Sequence, residues 1–68
     1  MDEETFNASV RKLLRTVGVS SQREIEQAVG KAIAEGAIAG TETFPVQVTL
    51  EIAGLKLHYR LDGEIRLQ

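Results

Sequence analysis

Cysteine and tryptophan are absent from the sequence, and proline and histidine occur once each. Without cysteine there is no disulfide framework and no thiolate zinc site. A single histidine cannot supply a His cluster for a metal. Aromatic residues are scarce, at 4%. Basic excess is missing too: eight Lys and Arg stand against ten Asp and Glu, for a net charge of −2. Nucleic-acid binders usually carry the opposite balance, so the charge argues against such a partner. No apolar run approaches the ~20 residues of a membrane span, and the acidic opening Met1-Asp2-Glu3-Glu4 lacks the apolar core of a signal peptide. Within 68 residues there is room for a single domain, expected to span residues 1–68.

Apolar and polar residues are patterned in two ways. Phe6, Val10, Leu13, Leu14 and Val17 recur at helical spacing, which predicts a first amphipathic helix over 3–17. Asp2 is a suitable N-cap, and Glu3 and Glu4 complement the helix dipole. Gly18 is the expected stop. Ser21-Gln22-Arg23-Glu24 fits a capping box, and Ile25, Ala28, Val29, Ala32 and Ile33 form a second stripe, predicting a second helix over 21–35 that Gly36 ends.

After Thr43 the period drops to two. Phe44, Val46, Val48, Leu50 and Ile52 alternate with polar residues, as do Leu55, Leu57, Tyr59 and Leu61. This predicts two half-buried strands, 44–52 and 55–67, the second bent near Gly63, with a short third strand at Glu64–Leu67 as the alternative. A two-residue Ala53-Gly54 loop would pair Ile52 with Leu55, Leu50 with Leu57, Val48 with Tyr59 and Val46 with Leu61, and would place Gly63 opposite Phe44. On the other face Glu51 would meet Lys56, Thr49 would meet His58 and Gln47 would meet Arg60. The expected fold is α+β: two amphipathic helices packed on one face of a C-terminal antiparallel hairpin, in the order ααββ.

Chemistry-bearing residues have structural explanations at hand. His58 falls on the solvent face of the hairpin, and Ser20 and Ser21 read as helix caps. Asp2, Glu3, Glu4 and Glu24 are accounted for by the dipole and the capping box. No phosphate-binding glycine loop, nucleophile elbow or metal-ligand spacing occurs. No enzyme, cofactor or metal is therefore expected. The string Leu13 to Ile25, with Gly18-Val19-Ser20 at its centre, resembles a helix-turn-helix. Leu14 occupies the small-residue slot of that motif, however, and its apolar slots fall on Glu24 and Gln27 unless one turn residue is inserted. A DNA-reading role through this motif is the alternative function. The leading expectation is a non-catalytic interaction or structural module. Its partner would be another protein or a second copy, reached by strand addition at Val46–Ile52 or Leu55–Leu61. The candidate surface is the polar hairpin face of Gln47, Thr49, Glu51, Lys56, His58 and Arg60. A second candidate is the basic patch of Arg11, Lys12 and Arg15, suited to an acidic partner.

The opening Glu3–Asn7, the run Val17–Glu26 and the closing Asp62-Gly63-Glu64-Ile65 resemble a family of short proteobacterial proteins of unknown function. The resemblance covers nearly the whole chain. It implies a bacterial, cytoplasmic protein and carries over no activity, substrate or catalytic residue.

Overall fold

The computed structural model describes residues 1–68. It contains one helix, α1 (Glu3–Ala34), followed by strands β1 (Thr43–Ile52) and β2 (Leu57–Arg66). The fold remains α+β, but the expected pair of helices on a hairpin is replaced by a single 32-residue helix and then a two-stranded antiparallel sheet. The chain divides into two compact units, Met1–Ala37 and Ile38–Gln68.

Residues 18–20, the predicted break, are helical. Gly18 has no positive φ, and a glycine inside a helix costs only about 1 kcal/mol relative to Ala. No proline lies in the segment, so nothing removes a hydrogen bond or forces a kink. The capping box at Ser21 is not formed, because Ser21 and Glu24 lie inside α1. The two apolar stripes that suggested two helices are both carried by α1. On a helix turning 100° per residue, their centres lie about 85° apart. That offset imitates a break.

Both ends of α1 match their sequence signals. Asp2 caps the start: its carboxylate accepts from the amides of Glu4 (3.0 Å) and Thr5 (3.2 Å) and from the Thr5 hydroxyl (2.9 Å). At the other end Gly36 takes φ 71. Its amide donates to the Ile33 carbonyl at 3.0 Å and the Ala37 amide to the Ala32 carbonyl at 2.9 Å, the paired bonds of a Schellman stop.

The hairpin keeps the predicted faces and changes the predicted register. Ile52 pairs with Leu57, Leu50 with Tyr59, Val48 with Leu61, Val46 with Gly63 and Phe44 with Ile65. The connection is a 3-10 turn over Ala53–Leu55 followed by Lys56 in the left-handed conformation (φ 51). Four residues therefore replace the expected two, because Ala53 is poorly suited to open a primed two-residue turn. Leu55, expected in the second strand, lies in this connection and is 72% exposed. A slip of two residues preserves parity, so every side chain that remains in the strands stays on its predicted face. Glu64–Arg66 continues β2 and is not a third strand. Gly63 faces Val46 in place of Phe44.

Candidate interaction surfaces

The hairpin's polar face is built from alternate residues of both strands. Gln47 lies opposite Asp62, Thr49 opposite Arg60 and Glu51 opposite His58. Five of the six candidate residues thus share one face, but with partners other than those expected. Lys56, the sixth, sits in the connection and pairs with no strand residue. Glu51 and His58 approach to 3.8 Å, an ion pair only when the imidazole is protonated. Arg60 donates through Nε (3.2 Å) and a terminal nitrogen (3.1 Å) to Asp62 two residues along β2. Both pairs are solvent-exposed, so they order side chains more than they stabilise the fold.

The backbone edges can be assigned residue by residue. The Leu67 amide donates to the Glu42 carbonyl at 2.9 Å, which makes that level a hydrogen-bonded pair of the ladder. Hydrogen-bonded and open levels alternate, so the amides of Phe44, Val46, Val48, Leu50 and Ile52 point inward. Outward amides on β1 belong to Thr43, Gln47, Thr49 and Glu51, and Pro45 has none to offer. On β2 they belong to His58, Arg60, Asp62, Glu64 and Arg66, a heavily charged edge of the kind that discourages strand pairing. The stretch Gln47–Glu51 is the less defended of the two edges.

A feature the sequence reading missed precedes β1. The Glu42 carboxylate accepts from the amides of Ala39 (2.8 Å), Gly40 (2.9 Å) and Thr41 (3.0 Å). Three successive amides form an anion-binding nest, closed by the chain's own side chain. Gly40 makes it possible with φ 99, a conformation costly for other residues. The bonds, from Ala39 first and Gly40 next, hold the Glu42 carboxyl below its ordinary value. The signal was a glycine two residues ahead of a carboxylate at a loop-to-strand boundary. Asp2 is likewise lowered, chiefly by the Thr5 hydroxyl and then the Thr5 amide.

On α1, Arg11, Lys12 and Arg15 are exposed and no carboxylate forms a salt bridge with them. The helix-turn-helix geometry is not formed, since its turn is part of α1. No three His, Asp or Glu side chains are grouped so as to hold a metal ion, and no helix is long and apolar enough to cross a membrane.

A continuous helix followed by an antiparallel hairpin defines a small α+β chain. It belongs to a family of unknown function, DUF6494, whose model matches residues 1–68. No curated protein and no solved structure matches the chain.

Proposed function

We propose that the protein is a non-catalytic structural or protein-interaction module that works as an assembly with further copies of itself. One observation supports this reading above the others, and it holds within each unit taken by itself. Large apolar side chains that ordinarily fill a core remain open on both units. Phe6 is 50% and Leu14 55% exposed on α1, and Tyr59 and Leu61 are each 51% exposed on β2. Large apolar side chains left exposed in such number mark association sites, and below about 70–80 residues oligomerisation is a common source of missing stability. Closed two-fold dimers are the commonest symmetric solution. On the hairpin, strand addition at Gln47–Glu51 offers free amides beside one charged side chain. A cytoplasmic setting belongs to this reading on the family resemblance alone.

Sedimentation velocity across the micromolar range tests the reading. The expected result is a concentration-dependent mass at a multiple of the 7.5 kDa chain. A folded species that stays at 7.5 kDa throughout the range would overturn it.

A further inference from the structure

Because α1 is one helix, its apolar positions can be read along its full length. Phe6, Val10, Leu14 and Val17 lie four, four and three residues apart. Ser21, Ile25, Ala28 and Ala32 continue the line at steps of four, four, three and four. The pattern is an eleven-residue repeat of about 3.67 residues per turn, which runs along a nearly straight or slightly right-handed seam. Seven of its eight positions are apolar. None is buried: Val10, Val17 and Ile25 are 37%, 41% and 36% exposed.

We infer that two copies of the chain pair through this seam with their α1 helices antiparallel. The inference rests on the assembly reading above and names its helical surface. Two independent features select the orientation. The first is volume. The N-terminal half of the seam is large (Phe6, Val10, Leu14, Val17), and the C-terminal half is smaller (Ser21, Ala28 and Ala32, with Ile25 the exception). An antiparallel pair with its two-fold axis near Val19 sets Phe6 level with the partner's Ala32, Val10 with the partner's Ala28 and Val17 with the partner's Ser21. Leu13 and Leu14 fall beside the partner's Ile25. Large against small fills each layer evenly, whereas a parallel pair would stack Phe6 on Phe6 and leave Ala32 on Ala32. The second is charge. In a parallel pair Arg11, Lys12 and Arg15 would lie level with their own copies. Antiparallel, they come level with the stretch Arg23–Gln27, whose Glu24 and Glu26 outnumber Arg23.

The natural absence of cysteine makes the orientation directly measurable. Val10→Cys and Ala28→Cys, prepared as separate single variants of the full chain, are mixed and oxidised under dilute conditions. The expected product is the mixed 10–28 disulfide in clear excess over both symmetric disulfides. Leu14→Glu should abolish the species at twice the chain mass, while Glu64→Gln, on β2 and outside both candidate surfaces, should leave it in place. Predominant 10–10 and 28–28 products would overturn the antiparallel orientation. A dimer that survives Leu14→Glu would overturn the seam and leave assembly standing through another surface. A chain that never associates removes both readings together.

Discussion

Gly18 decides how the first half of the chain is understood, and one substitution tests it. Nothing lies within 4 Å of a Cβ built at Gly18 or at Gly30, and neither has a positive φ. Gly18→Ala and Gly30→Ala should therefore each raise thermal stability, by up to about 1 kcal/mol. If Gly18 were a left-handed turn residue, the first change would destabilise. Gly36→Ala should have the opposite sign, costing about 1–2 kcal/mol because φ 71 disfavours a Cβ. Thermal melts of the three variants separate these outcomes. Gly18 was misread because its local signal, a glycine before Val-Ser-Ser, is the same at a helix stop and inside a helix. Only its weak helix penalty, set against uninterrupted residues on both sides, resolves it. Gly36 was legible, since no further periodic residue followed it.

At the scale of elements, alternation was the dependable signal. Parity placed the side chains of both strands on their proper faces, Leu55 and Lys56 in the connection excepted, because a slip of two leaves the alternation untouched. Turn chemistry was less legible: the sequence Ala-Gly-Leu-Lys does not advertise that Lys56 takes the left-handed position. Lys56→Gly should relieve that conformation and stabilise the hairpin slightly, seen as slower amide exchange at Ile52 and Leu57. The polar face was legible as a set, and its cross-strand partners were not. The loop before β1 has its own dependence on pH. Glu42 is lowered in the folded state, so its contribution is fully present above the ordinary glutamate value of about 4.3. It is lost as the pH falls through the lowered one. The protection of the Ala39, Gly40 and Thr41 amides relative to their intrinsic exchange rates should fall over that acid range, and Glu42→Gln should weaken the dependence. Asp2 follows the same sign at the start of α1: helicity by circular dichroism should fall at low pH, and Asp2→Asn, which retains the cap, should blunt the fall.

For the whole molecule, the sequence predicts two amphipathic helices packed on one face of the hairpin, and the structure has one helix and a hairpin, each with apolar residues of its own. Composition records how much apolar surface exists and not what covers it. What survives is the α+β class, the hairpin and the membership of a family without assigned function. Added salt should leave a dimer held by the apolar seam largely intact, since screening weakens exposed ion pairs and not apolar contact. Sedimentation at low and high ionic strength would read this directly. A collapse of the dimer at high salt would assign its stability to Arg11, Lys12, Arg15 and the glutamates opposite.

An uninterrupted rod with a fixed phase can change length only in quanta. One extra residue after Gly18 would swing everything from Val19 to Ala34 by roughly 100°, turning Ile25 and Ala28 away from the line that Val10 and Leu14 define. Eleven extra residues would bring the two halves back into step. Tolerance of the longer insertion and rejection of the shorter would mean that the rod's phase constrains this chain more tightly than its length does.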